Sequence, residues 1–144
     1  MVTCCDTSFL FSLYGDDSNS PAALRWLEAK AGPLSISKLN EFELANALRF
    51  AEFRKALMPG SAARCLEDFE TDVMSGRLLL SPFNLAAVLS EASRLSAAHT
   101  LASGHRSFDI LHVAAALQQK ALMFLTFDQN QRRLAEAENL IVPL

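Results

Sequence analysis

The chain is poor in cysteine, in long apolar runs and in positive charge, and each lack closes off a class of protein. Three cysteines in 144 residues, two of them adjacent at Cys4 and Cys5, cannot build a regular disulfide framework, and no CxxC or Cys/His spacing suggests zinc. Cys4, Cys5 and Cys65 read as small core residues of a protein in a reducing compartment. The longest apolar stretches, LLLSPF, HVAAAL and ALMFLTF, are too short or too interrupted to span a bilayer, and no basic segment followed by an apolar one opens the chain. A cytoplasmic protein without a membrane association is expected. The net charge of -3 gives the surface no general attraction for nucleic acid, so any such binding needs a local basic patch or a metal. Internal repeats and low-complexity segments are also missing.

What the chain does have is apolar content, 51% of its residues, enough to close a core in one domain spanning residues 1–144. Strand and helix patterns alternate throughout. Val2 to Asp6 reads as a short buried strand and Thr7 to Leu13 as a helix. After the loop GDDSNSP, Ala22 to Ala31 is helical, with Leu24, Trp26 and Leu27 apolar and Arg25, Glu28 and Lys30 polar, until Gly32 and Pro33 stop it. Leu34 to Ser37 is a strand, Lys38 to Leu57 a long helix broken by MPG, and Ser61 to Met74 another helix ended by Gly76. Leu78 to Leu80 is the third strand, Leu85 to Ala98 a helix, LASGH a loop and Ser107 to Lys120 a helix. Leu122 to Phe127 is the fourth strand, Gln129 to Glu138 the last helix and Leu140 to Val142 a final strand. Strands this short, apolar throughout and separated by helices, imply an α/β fold with a parallel sheet covered on both faces. Reactive groups in such sheets gather beyond the carboxyl ends of the strands.

Four carboxylates fall at the ends of these elements. Asp6 follows the first strand, where it caps the next helix or serves as a central ligand. On the long helix the choice lies between Glu41 and Glu43. At about 100° per residue only Glu43 shares the stripe of Leu39, Phe42, Asn46, Phe50 and Phe53, where it either faces a cation or pairs with a basic side chain. Glu41 is a solvated surface acid. Asp109 lies in a first helical turn behind the expected cap Ser107, where the helix dipole favours an acid. His112, three residues on, is either a metal partner of Asp109 or a neutral histidine packed on its helix. Asp128 follows the fourth strand and forms a capping box with Gln131. Collected from distant parts of the fold, four such acids suit a hard divalent cation and phosphodiester hydrolysis. His99 and His105 fit no pattern and are expected on the surface.

The series CDTSFL, ELANALR, SFDILHVAAAL and FLTFDQNQRRLA resembles, along essentially the whole chain, the PIN-domain family of small ribonucleases, above all the VapC-type toxins of bacterial toxin–antitoxin pairs. The resemblance implies a three-layer α/β/α sandwich with a short-stranded central parallel sheet. It matches Asp6, Glu43 and Asp109 to the family's first three acids, and Thr126 with Asp128 to its TxD motif. Asn130 stands where some relatives carry another acid. Implied with these are Mg²⁺ or Mn²⁺ as cofactor, with Asp6 and Asp109 as direct ligands, Asp128 as a direct or water-mediated one, and Glu43 as ligand or orienter of the attacking water. Thr7 or Ser8 would hold a phosphate or fix Asp6. The implied substrate is single-stranded or loop RNA, its phosphates met by Arg49, Arg106, Arg132 or Arg133.

Two other readings compete. A phosphoaspartyl hydrolase also uses an acid after the first strand, but its pattern wants Asp-x-Asp and this chain has Ser8. A non-catalytic PIN-fold interaction domain would keep the fold without cleavage. The long helix carries Phe42, Ala45, Phe50 and Phe53, the helix before it Trp26 and Leu27, and the loop after it Met58, more bulky apolar surface than a small sheet face covers. Leftover patches of this kind mark interfaces. By the resemblance, one would pair two copies in a homodimer, and a groove would take an amphipathic segment of a small antitoxin protein, which aims an Arg or Lys at the acids.

Overall fold

A computed structural model describes residues 1–30 and 32–144. Four three-residue strands, β1 (Thr3–Cys5), β2 (Leu34–Ile36), β3 (Leu78–Leu80) and β4 (Met123–Leu125), alternate with helices α1 (Thr7–Tyr14), α2 (Ser20–Ala29), α3 (Lys38–Phe53), α4 (Ser61–Ser75), α5 (Leu85–Leu95), α6 (Leu101–Ser103), α7 (Ser107–Gln118) and α8 (Gln129–Ala137). The strands run parallel. Cys4 is in register with Phe124 in the β1–β4 pair and Ser35 with Leu79 in the β2–β3 pair, while β1 and β2 lie side by side. Expected as a last strand, Leu140 to Val142 contributes one bridge, Ile141 to Met123.

Side chains that alternate across a strand explain how three-residue strands divide two cores. Cys5, Leu34, Ile36, Leu78 and Leu125 point to a core shared with Phe9 and Leu10 of α1, Leu44 and Leu48 of α3 and Phe69 of α4. Cys4 and Phe124 point the other way, onto Val88 and Leu95 of α5, Ile110 and Val113 of α7 and Leu134 of α8. The result is a three-layer α/β/α sandwich. Cys4 and Cys5 are buried as expected and Cys65 is half-buried; all three are free thiols. Burial pushes the Cys4 thiol up to about 12, so it is protonated and unreactive at neutral pH.

Several element ends move from their expected places for local reasons. Ser20 and Pro21, placed in a loop by the sequence, open α2, since proline fits a first helical turn; the expected end of that helix at Ala31 lies outside the described residues. Helix α3 stops at Phe53 rather than Leu57, because Lys55 takes a left-handed φ of 63° and the amides of Ala56 and Leu57 turn back to the carbonyl of Ala51. LASGH is not all loop. The helix continues past Ala98 through a π-helical turn, Ser96–Thr100, into α6 and ends where Gly104 adopts a φ of 68°. Among the described residues no helix is long and apolar enough to cross a membrane.

Candidate active site

The acids gather because three of the elements that carry them end or begin at the same edge of the sheet. Asp6 leaves β1 and caps α1. Its Oδ1 accepts from the amide of Phe9 at 2.9 Å, and its Oδ2 accepts the hydroxyls of Ser8 and Thr126, each at 2.6 Å. The capping role and the central place in the cleft are therefore one and the same. Asp128 leaves β4 by way of Phe127, caps α8 through the amide of Gln131 at 2.9 Å, and sends its own N–H to Thr126 Oγ1 at 3.0 Å. Thr126, the first residue of TxD, thus ties two of the acids together. Asp109 stands in the first turn of α7. Its cap position falls at Arg106 and not at Ser107, which is already helical and makes no capping bond.

Glu43 reaches the same place by a different rotation of α3 from the one its sequence pattern suggests. The inward face of the helix is Asn40, Leu44, Leu48 and Ala51, whereas Phe42, Phe50 and Phe53 are exposed. Glu43 sits at the border between these faces, with Glu41 outside it and paired to Lys38 at 2.8 Å. Its Oε1 lies 3.0 Å from Nε2 of His112, a buried ring that also approaches Thr7 Oγ1 at 3.1 Å. His112 is the packed histidine of the two readings, with Glu43 rather than Asp109 as its partner.

Asp6, Glu43, Asp109 and Asp128 line a single cleft of about 640 Å³, together with Thr7, Ser8, Arg54, Arg106 and His112. Among the candidate arginines Arg106 alone enters it. Its side chain, 80% exposed, places Nε 3.1 Å from Asp109 Oδ2 and a terminal nitrogen 3.9 Å from Asp128 Oδ2. Arg132 turns to Glu136 at 3.5 Å, and Arg49 and Arg133 lie outside the cleft lining. Arg54, which no motif marked, lines the cleft and stacks over Phe50 at 5.2 Å. Asp17, from the GDDSNSP loop, is a fifth acid of the lining and is held by Ser12 Oγ at 2.8 Å. Asn130 faces away, donating to the carbonyl of Gly104 at 3.1 Å and lying 3.3 Å from His105 Nδ1. His105 is consequently buried rather than exposed, and His99 is half-buried against Glu138 at 2.7 Å.

The electrostatics of the acids differ. Burial pushes the Asp6 carboxyl above its ordinary range, against the pull of the Ser8, Thr126 and Phe9 donors. At Glu43 burial also works upward but is outweighed by hydrogen bonding to His112 and Thr7 and by the charge of Arg106, which hold it below the usual carboxylate range. A divalent cation fits the chemistry of this donor set, all oxygen and all carboxylate. No three acidic, histidine or cysteine side chains among the described residues converge tightly enough to enclose an ion directly. Such oxygen ligands suit Mg²⁺, which keeps several of its waters and is usually held through one or two carboxylates.

A parallel α/β/α sandwich with carboxylates collected beyond the carboxyl ends of β1 and β4 is the class that fold and cleft define. The PIN domain profile matches residues 3–137, and the chain belongs to the PIN-domain family. Solved structures share its fold. VapC20 from Mycobacterium tuberculosis, a sarcin–ricin loop cleaving toxin, superposes with a TM-score of 0.69 at 15% identity, covering 96% of each chain. VapBC2 from Rickettsia felis, bound to a DNA fragment from their promoter, gives 0.67 at 19% identity over 99% of this chain and 97% of that one. FitAcB from Neisseria gonorrhoeae gives 0.66 at 18% identity over 98% and 96%. No curated protein sequence matches the chain.

Proposed function

We propose that the chain is a Mg²⁺- or Mn²⁺-dependent endoribonuclease acting in the cytoplasm as the toxin of a toxin–antitoxin pair. The observation that carries this reading is the meeting of four carboxylates, from β1, α3, α7 and the end of β4, in one cleft. Membership of the PIN family and the likeness of fold to a sarcin–ricin loop cleaving toxin support it.

Asp6, Asp109, Asp128 and Glu43 would hold the ion, directly or through its waters. When bound, such an ion lowers the pKa of a water and offsets charge that builds on the phosphate in flight. The chain's own side chains do the rest. Ser8, Thr126 and the Phe9 amide fix the Asp6 carboxylate in one orientation, so that it need not reorganise during reaction. Thr7 and Ser8 stand at the start of α1, where hydroxyls and the helix dipole favour a phosphate. Arg106, long and solvent-exposed, can leave the acids to meet an RNA phosphate, and Arg54 offers a second cation in the cleft lining. The substrate is unpaired RNA, whose backbone enters such a cleft without a duplex in the way. The exposed Phe42, Phe53 and Met58 lie on α3 and the loop after it, and form the surface for a second copy and for an amphipathic antitoxin segment.

Cleavage of single-stranded RNA by the purified chain should need Mn²⁺ or Mg²⁺ and stop with EDTA. Replacing both Asp6 and Asp109 by Asn should lower the rate by orders of magnitude with the fold retained. Undiminished cleavage by the well-folded double variant would overturn the assignment of the acids. A wild type that binds Mn²⁺ without cutting RNA would favour a non-catalytic binding domain. Light scattering and co-purification with the neighbouring gene product test the partners, and a strict monomer that retains no small partner would remove the toxin reading.

A further inference from the structure

Asp6 and His112 are the most deeply buried titratable residues lining the cleft, and the proposed reaction gives His112 no task. Its ring is 2% exposed, and the two backbone groups that hold the Asn40 amide beside it have a fixed sense. The Ser37 backbone N–H can only donate, and it meets Asn40 Oδ1 at 3.0 Å. The Cys5 carbonyl can only accept, and it meets Asn40 Nδ2 at 3.2 Å. These two bonds settle which end of the Asn40 amide is which. Asn40 Nδ2 therefore presents its second hydrogen to His112 Nδ1 at 3.4 Å, so Nδ1 carries the lone pair. The proton of the neutral ring is left on Nε2, facing Glu43 Oε1 at 3.0 Å with Thr7 Oγ1 beside it at 3.1 Å.

We infer that Asn40 and His112 form a relay that fixes the Glu43 carboxylate, with His112 as a positioning residue for the acid cluster. The relay starts from backbone groups of the β1 and β2 ends, which the sheet holds rigid, and it delivers that rigidity to a half-exposed glutamate with three rotatable bonds. Glu43 Oε1 is thereby committed to the Nε2–H at 3.0 Å, and the remaining lone pairs of the carboxylate, on a side chain that lines the cleft, stay available to a hydrated ion or water. Partners of this kind behind metal-binding side chains set affinity or rate by about 10–100-fold. The inference rests on the proposed nuclease reading only for its effect on catalysis; the tautomer and the metal affinity are read without RNA.

The test uses the full chain with ¹⁵N-labelled histidine, His112→Leu and His112→Gln, and Mn²⁺ as the probe. A long-range ¹⁵N–¹H correlation spectrum should show His112, assigned by its loss in His112→Gln, as the Nε2–H tautomer; an Nδ1–H ring overturns the relay. Asn40→Asp places an acceptor against Nδ1 and should draw a proton there, whereas an unchanged His112 signal refutes the coupling, and this arm stands even if His112→Leu does not fold. Titration calorimetry should show Mn²⁺ binding weakened about tenfold or more in His112→Leu and largely restored in His112→Gln, whose amide can still donate to Glu43. Cleavage should follow in kcat, with KM little changed, and His112→Leu should add nothing in a Glu43→Gln background. Equal losses in the two His112 variants, or losses that add to Glu43→Gln, would mark a merely structural role and overturn the proposal. A wild type that binds Mn²⁺ and shows the predicted tautomer but cuts no RNA removes the nuclease reading and leaves the relay standing.

Discussion

Thr126→Val tests how much of the cleft rests on one hydroxyl. Valine has nearly the shape of threonine, so the 1%-exposed site loses its hydrogen bonds without gaining a cavity. Two bonds go. The hydroxyl donates to Asp6 Oδ2 at 2.6 Å and accepts from the Asp128 amide at 3.0 Å. A hydrogen bond to a charged group contributes about 1.5–3 kcal/mol, and a part-buried amide left without an acceptor costs about 1 kcal/mol or more. The expected loss is therefore about 3 kcal/mol at neutral pH, or roughly 10 °C in Tm for a domain of this size. The pH dependence has a definite sign. The folded Asp6 pKa is raised by burial, so the stability linked to Asp6 is present below its ordinary value of 3.8 and is lost as pH rises through the folded value. Removing a donor that favours the carboxylate raises the folded pKa further, so the cost of Thr126→Val should be larger at pH 7.5 than at pH 4.5. Urea denaturation at both pH values reads this directly, with Thr126→Ser, which keeps the hydroxyl, as control. A neutral-pH loss under about 1 kcal/mol, below the value of a single such bond, or a loss independent of pH, would refute the hydroxyl's role.

Other perturbations follow from the same geometry. Phe9→Ala should cost about 3–5 kcal/mol by urea titration, because the ring is fully buried and packs edge-on to Trp26 at 6.1 Å and stacked on Phe127 at 5.8 Å; a loss under about 1.5 kcal/mol would mean that α1 is not pinned to the sheet as described. Arg106→Gln should tighten Mn²⁺ binding several-fold by calorimetry, since a guanidinium bridging Asp109 and Asp128 competes with a cation, while its own exposure keeps the stability change within about 0.5 kcal/mol. Weaker Mn²⁺ binding in that variant would contradict the competition. Phe53→Ser removes a side chain that is 80% exposed and should leave Tm within about 2 °C of wild type; a large drop would place Phe53 in the core.

Local rules made much of this protein legible in its sequence. Short apolar runs between helical patterns announced a covered parallel sheet, because a strand buried on both faces has no polar side to show. Asp6 and Asp128 were legible for a related reason, as residues that end a strand and cap a helix obey rules confined to four or five neighbours. Glu43 was found with the wrong reason. The pattern of Phe42, Phe50 and Phe53 pointed to an inward stripe, yet α3 is rotated so that Asn40, Leu44, Leu48 and Ala51 face the sheet. The bonds from Asn40 to Ser37 and Cys5 set that rotation, and Cys5 lies 35 residues away in sequence.

Spacing and periodicity by themselves determined the covered parallel sheet, the order of the elements and the places of Asp6, Asp109 and Asp128 at element ends, because those follow from contacts between near neighbours in the chain. Only the tertiary structure decided that Arg106 bridges Asp109 and Asp128 while Arg132 turns aside, and that His112 meets Glu43 across 69 residues. The same holds for Asn130, which turns its amide to Gly104 and His105 instead of toward the acids. Long polar side chains choose partners by where the packed helices leave them, and a choice made across the fold carries no signature in the residues on either side.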